Sequence, residues 1–256
     1  MHFPKISVVT ISYNQAQFVE TTLCSILNQQ YPNLEYIVID AESTDGSVEI
    51  IRRYEENLYY WVSEPDEGQT DGLIKGFNVA TGEVLCWLNS DDLLEPWTLT
   101  EVGRFFYENQ DANVVYGDAT WIDIEGNQIK RKKEHGFNRF IWMHDYNYIP
   151  QPSTFWRRRI YEEIGGLDSS FDLAMDADLW IRMADMTPIQ HIRRNWSRQR
   201  FYPEQKNQRL RVESDKEDLI IRRRYLGERS KLHRQGTKVL AKSMRVGWKL
   251  ATGCYF

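Results

Sequence analysis

Four consecutive polar residues, Asn89-Ser90-Asp91-Asp92, carry the chemistry most readily read from this chain. Two adjacent carboxylates repel each other unless a proton or a cation is shared between them. Hard divalent ions bind through one or two carboxylates together with phosphate oxygens. Asp91 and Asp92 therefore suit Mn2+ or Mg2+ carrying a nucleotide diphosphate. The same pair also suits an ordinary helix start, where the backbone dipole favours acids. A second pair, Asp176 and Asp178, opens another helical stretch, and Asp178 reads there as a cap for free amides. At Asp176 a chemical role competes, because a carboxylate base must take the proton when a hydroxyl attacks a carbon.

These residues need elements to hold them. The apolar run Val84-Leu85-Cys86-Trp87-Leu88 reads as a buried strand just before the first pair, and Pro96 suits the first turn of the helix after it. Upstream, Ile6–Ile11, Tyr36–Ile39 and Leu58–Val62 read as strands, with helical periods over Ala16–Gln29, Val48–Tyr54 and Thr70–Ala80. Such alternation predicts an α/β fold with a parallel sheet, helices on both faces and right-handed connections. Tyr13, Asn14, Asp40, Asp66, Asp91 and Asp92 all fall at strand ends, so they are expected along one edge. Ligands bind outside that edge in open α/β sheets. No GxGxxG and no GxxxxGK[ST] occurs, which argues against a nicotinamide or flavin cofactor and against a P-loop ATPase.

Further along, Thr98–Glu108 reads as a helix, Asn113–Asp118 as a strand continuing towards Asp123, and Gln128–Lys133 as its hairpin partner. The aromatic-rich residues 135–150 are expected to form a helix and loop over the site. Gln151–Trp156 reads as a loop into a short strand, Arg157–Ile164 and Leu179–Ala184 as helices, and His191 as following a last short strand. Gln151, Trp156 and Arg157 are candidates to shape an acceptor pocket, with plain packing as the alternative.

The 256 residues, 41% hydrophobic and 27% charged, are ordinary for a soluble globular protein. Cys24, Cys86 and Cys254 show neither paired nor metal-ligand spacing. No signal-peptide core and no run of 18 apolar residues is present, so a cytoplasmic protein is expected. The net charge of −5 conceals an asymmetry: residues 193–256 hold 18 Lys and Arg against 6 Asp and Glu, leaving 14 basic and 31 acidic residues before them. The basic stretches Arg222-Arg223-Arg224 and Lys231–Lys249 interleave with Leu, Val and Trp, the composition of helices that lie on anionic membranes. Packing of the tail on the acidic body is the alternative. No nucleic-acid recognition motif accompanies the charge.

Several blocks together resemble glycosyltransferase family 2. They are Val8–Asn14, Gln29–Tyr36, Ile39-Asp40 with Ser43–Gly46, Ser63–Gly68, Ala80–Glu83, Trp87–Asp92 and Asp176–Arg182. The resemblance spans roughly residues 5–190 and is closest to the bacterial branch that builds O-antigen and capsule repeat units. It implies an inverting enzyme of GT-A fold: a Rossmann-like, mostly parallel sheet over 1–192, with a donor half (1–95) and an acceptor half (96–192), followed by a basic helical extension over 193–256. It implies a nucleotide-sugar site built from Thr10, Tyr13, Asp40, Asp66, Asp71, Lys75, Asn89 and Ser90, with a uracil-type base at Asp40. Asp91 is then the metal ligand, Asp92 the second choice, and Asp176 the catalytic base; His191 is a further candidate to reach the diphosphate. Two positions depart from the family pattern. Asn89 replaces the first acid of the DxD motif, and Ala41-Glu42 stands where a glycine pair is common.

The implied reaction is a single displacement from a nucleotide-diphosphate sugar to a saccharide acceptor, lipid-linked, at the inner face of the plasma membrane. The alternatives are a nucleotidyltransferase acting on sugar phosphates, which should carry a glycine- and lysine-rich loop that is missing here, and a non-catalytic carbohydrate-binding protein.

Overall fold

The computed structural model describes residues 3–228 and 230–254, and of Lys231 only the backbone. Met1, His2 and the last two positions of the expected tail lie outside the described residues. The first part of the chain forms β1 (Ile6–Ser12), α1 (Ala16–Leu27), β2 (Leu34–Asp40), α2 (Ser47–Arg52), β3 (Tyr60–Ser63), α3 (Gln69–Val79) and β4 (Val84–Asn89). β1, β2 and β4 are buried along almost their whole length, as continuous apolar runs in a parallel sheet must be. Their spatial order is β3-β2-β1-β4, all parallel. α1 turns Phe18, Val19, Leu23 and Ile26 inward at helical spacing. α3 approaches so closely that a Cβ on Gly76 would lie 2.4 Å from Val9 Cγ1, so only glycine fits there.

The second half is mixed. It comprises β5 (Leu93–Leu94), α4 (Thr98–Glu108), β6 (Val114–Ile122), β7 (Gln128–Lys132), α5 (Arg139–His144), β8 (Thr154–Arg157), α6 (Arg158–Glu163), α7 (Met175–Met186) and β9 (Ile189–Arg200). β8 runs antiparallel to both β4 and β6, β9 lies parallel to β6, and β7 pairs with β6 as a hairpin. Most boundaries shift by one or two residues from the sequence reading, and two shift by more. α7 starts at Met175, four residues earlier, which puts Asp176 inside its first turn. β9 runs through to Arg200, so the division expected after residue 192 falls within a strand of the sheet. α8 (Lys206–Arg209), α9 (Arg211–Leu226) and α10 (Lys231–Ala251) complete the chain.

The core under the site is aromatic. Trp87 on β4 stacks on Trp180 of α7 with ring centroids 5.7 Å apart and planes 12° from parallel. Trp156 closes edge-on against the same pair, and Phe77 edge-on against Trp87 and Trp156. This cluster ties α3, β4, β8 and α7 into one unit, so the carboxyl end of β4 and the start of α7 hold a fixed relation.

Candidate active site

The parallel register brings the first strand-end residues together. Ser12 of β1 pairs with Asp40 of β2, and the preceding Ile11 pairs with Asn89 of β4. Asp40 and Asn89 therefore share one edge. Asp40 is fully buried, and its carboxylate accepts from Ser43 N (2.9 Å), Ser43 Oγ (2.6 Å) and Ser63 Oγ (2.7 Å). It thereby fixes the loop after β2 to the end of β3. Asn14 Oδ1 accepts from Thr44 N at 2.9 Å, tying the same loop to the turn after β1. Glu42 adopts φ 55°, the left-handed region that glycine enters most readily, which accounts for glycine being common here in the resembling family. Tyr13, 63% exposed, stands free at the rim. Thr10 is buried, its hydroxyl sharing a hydrogen bond with Tyr36 OH, and offers no surface to a ligand.

Asp66 Oδ1 accepts from Gly68 N at 3.0 Å. Burial pushes its carboxyl above the usual range, and the charges of Asp71 and Asp172 add to the effect. Lys75 spans Asp71 at 3.3 Å and Glu64 at 3.1 Å and donates to Pro65 O, so Asp71 and Lys75 brace the 64–68 loop against α3.

A ring of contacts surrounds the carboxyl end of β4. Gln69 Nε2 donates to Asn89 Oδ1 (3.2 Å), and the next residue, Thr70, donates its amide to Asp172 Oδ1 (3.1 Å). Asp172 Oδ2 meets Lys206 Nζ at 2.5 Å, while Gln205 Nε2 reaches Asp91 Oδ2 at 3.4 Å. Tyr202 OH donates to Asp91 Oδ2 at 3.1 Å. Residues 200–206 thus form a strap across the acids. Ser90 and Asp92 present their carbonyls to Thr22 Oγ1, which anchors the turn to α1. Asp92 is fully buried; its Oδ1 accepts the Arg200 amide at 2.7 Å, and its Oδ2 has no hydrogen-bond partner. Burial raises the pKa of both acids, and the neighbouring Asp91 charge drives Asp92 well above its ordinary value. Among the described residues no group of three or more His, Cys, Asp or Glu stands together as a metal cluster.

Asp176 lies four residues beyond Asp172, half-buried in the first turn of α7. Asn147 Nδ2 donates to its Oδ2 at 2.9 Å. Burial raises its carboxyl to about 6, against the opposing pull of the Ala177 amide and Asn147, and the Asp218 charge adds to the rise. Glu217 of α9 accepts three successive amides, those of Asp172, Leu173 and Ala174, at 2.8–3.2 Å, and so sets the start of α7. Asp178 is buried and paired to Arg182 at 2.6 Å, and it does not cap the helix as expected: α7 starts at Met175 with no side-chain cap, so the Asp178 carboxylate is taken up by an ion pair instead.

Some expected residues sit elsewhere. Gln151 lies under the site, donating to Trp87 O at 2.8 Å. Trp156 and Arg157 instead pair with Leu85 and Val84 at the amino end of β4. Because β8 runs antiparallel, its last residues point away from the site edge. Trp156 is core, and Arg157 is buried against Glu83 and the carbonyls of Ala112 and Phe106. His191 lies early in β9 and bonds Asp118 Oδ1 at 2.9 Å, at the opposite end of that strand from Arg200, which holds the acids. Asn147, Arg200, Tyr202, Gln205, Lys206 and Glu217 were not singled out by the sequence. Only the Tyr202-Pro203 break after β9 hints at the strap.

An α/β sheet with acids along its carboxyl edge, and a helix start bearing one more carboxylate beside it, defines a glycosyltransferase of GT-A type. The model of Glycosyl transferase family 2 matches residues 7–165, and the chain belongs to that family. An uncharacterised glycosyltransferase of Mycobacterium tuberculosis is 27% identical over 183 residues, 71% of this chain and 69% of that protein. A PGL/p-HBAD biosynthesis glycosyltransferase of Mycobacterium bovis is 27% identical over 186 residues, 71% of this chain and 70% of its own. Among solved structures, S. aureus TarS in complex with UDP superposes with a TM-score of 0.68 at 17% identity, covering 91% of this chain and 69% of that one. The mannosyltransferase PcManGT of Pyrobaculum calidifontis, in complex with GDP-Man and Mn2+, gives 0.67 at 18% identity, covering 100% and 81%. At such identities these two likenesses speak for the fold. Asp176 and the strap lie beyond the residues the family model matches.

Proposed function

We propose that this transferase moves a sugar from a nucleotide-diphosphate sugar, UDP-linked, to a hydroxyl of a lipid-linked saccharide, with inversion, in bacterial surface-polysaccharide assembly at the inner face of the plasma membrane. The observation that carries the reading is Asp176. A half-buried carboxyl with its pKa raised to about 6 is poised to take a proton near neutral pH, and it lies four residues beyond Asp172, which joins the contacts around the carboxyl end of β4. Asp176 accepts the acceptor's proton as that hydroxyl attacks the anomeric carbon from the face opposite the leaving diphosphate.

The acid pair fits a divalent cation. Two buried neighbouring carboxylates, one with an orphaned oxygen, share the field of Arg200, whose amide meets Asp92 and whose Nε meets the Asp91 carbonyl rather than a carboxylate oxygen. Asp91, with Asp92 behind it, would hold Mn2+ or Mg2+, whose other ligands would be diphosphate and water oxygens. When bound, the ion neutralises the charge that develops on the diphosphate. TarS in complex with UDP and PcManGT in complex with GDP-Man and Mn2+ support a nucleotide-sugar donor and a metal. The Mycobacterium bovis relative, named as a PGL/p-HBAD biosynthesis glycosyltransferase, supports a biosynthetic transfer.

The test is release of nucleoside diphosphate from a panel of sugar nucleotides with Mn2+, followed by the anomeric configuration of the product. Turnover of one donor with inversion, lost in Asp176→Asn, is the expected result. A protein inert to every donor, or a retained anomeric configuration, would overturn the reading.

A further inference from the structure

α9 and α10, both expected to form the basic tail, behave differently in the fold. α9 packs two of its cations on the body: Arg222 pairs with Asp218 at 2.6 Å and covers Trp142, and Arg224 reaches Asp168 at 2.9 Å and covers Phe171. α10 is turned the other way. It docks through Ala241, Arg245 and Lys249, which share one face at four-residue spacing. Arg245 meets Asp145 at 2.5 Å, and Lys249 meets the buried Glu134 at 2.6 Å. Trp248 stacks on His135 beside them, with centroids 5.0 Å apart.

Four apolar residues of α10 lie on the opposite side from Ala241 and Trp248. Leu232, Val239, Val246 and Leu250 recur at spacings of seven and four and share one face. Leu232 is 80% exposed, Val239 66% and Leu250 54%, with Leu240 (54%) alongside. A helix that packs on its own body normally buries its apolar stripe. Here the polar face is docked and the apolar stripe faces outward.

We infer that α10 lies in the plane of an anionic bilayer, its Leu232-Val239-Val246-Leu250 face set among the acyl chains and its Arg234, Lys238 and Lys242 at the headgroups. The charge selects this occupant. Lys231–Ala251 carries six Lys and Arg and no acid, so a second copy laid on the same face would bring cation against cation. Arg234, Lys238 and Lys242 are exposed along the free part of the helix, and they match phosphate headgroups. At the far end of α10, Thr252, Gly253 and Cys254 close a cleft of about 280 Å3 whose walls hold Arg131, Lys133 and Arg193, adding positive charge there. This inference rests on the reading that the acceptor is carried on a lipid, since it places the enzyme where such an acceptor is found.

The test is flotation of the full chain with phosphatidylcholine vesicles, with and without phosphatidylglycerol, run beside a donor-turnover assay. The expected result is binding to the anionic vesicles only, weakened by salt. Leu232→Asn with Val239→Asn and Leu250→Asn should lower partitioning about tenfold or more. Lys238→Gln with Lys242→Gln should do so by a similar factor. Both variants should keep wild-type donor turnover, because none of these residues touches the site. Equal binding by wild type and the stripe variant would overturn the inference. So would a soluble dimer that binds no vesicle and dissociates in the stripe variant, which would make a second copy the occupant. Vesicle binding without turnover of any donor would leave this inference standing and sink the transfer reading instead.

Discussion

Asn147 Nδ2 donates to Asp176 Oδ2 at 2.9 Å, and the Asn147 carbonyl is itself held by Trp142 Nε1 and the Ile149 amide. A donor on the carboxylate favours its charged form and works against the burial that lifts this group to about 6. Transfer should therefore rise with pH through a single acid limb near 6. Asn147→Ala removes the bond that favours the anion, so the limb should move upward, by about one unit or less. An unmoved or lowered limb in the pH profile of kcat/KM would show that Asp176 is not the titrating base.

The same group makes a prediction about stability. Its folded pKa lies above the ordinary value of 3.8, so between 3.8 and about 6 the folded chain binds more protons than the unfolded one. Stability from this group is present below 3.8 and is lost as pH rises through 6. Asp176→Asn should thus melt higher than wild type at pH 8, by about 2–4 °C per kcal/mol regained. Transfer should fall about 100-fold or more while donor binding persists. Measuring melting and turnover on one preparation separates a lost base from a lost fold.

Glu217 acts one step back from the reaction. Its two oxygens take the amides of Asp172, Leu173 and Ala174, immediately before the turn that carries Asp176. Glu217→Ala leaves three amides without this acceptor and should cost about 2 kcal/mol of stability. kcat should drop more than donor affinity, because Asp176 shifts while the donor edge stays fixed. Glu217→Gln retains one acceptor oxygen and should recover part of both losses, as chemical denaturation and steady-state kinetics would report.

The legible part of the site was the part that topology dictates. Once strands alternate with helices, Asp40 and Asn89 must reach the same sheet edge, and the register of Ser12 and Ile11 puts them there. The rest depends on contacts with no period. Glu217, Tyr202 and Gln205 reach their partners from 43, 111 and 114 residues away, through side-chain bonds that leave no mark in spacing. Trp156 and Arg157 were misplaced because nothing local reveals that β8 runs against β4 and so delivers them to its amino end. His191 was misplaced because a twelve-residue strand, rather than a short one, carries it.

The metal reading is tested through Asp91. Asp92 Oδ2 has no partner, Asp91 Oδ2 accepts from the neutral donors Tyr202 and Gln205, and the nearby Arg200 guanidinium bonds carbonyls, so the carboxylate oxygens stay open to a cation. A ligand that binds only the folded chain raises its melting temperature in step with its occupancy. Mn2+ added with UDP should therefore raise the wild-type Tm well beyond UDP alone, and a chelator should return it. Asp91→Asn removes one charge at nearly constant shape, so the Mn2+-dependent increment should vanish and turnover should fall about 100-fold or more. An increment that survives in Asp91→Asn but disappears in Asp92→Asn would exchange the two roles. An increment that survives both substitutions would place the ion away from this acid pair.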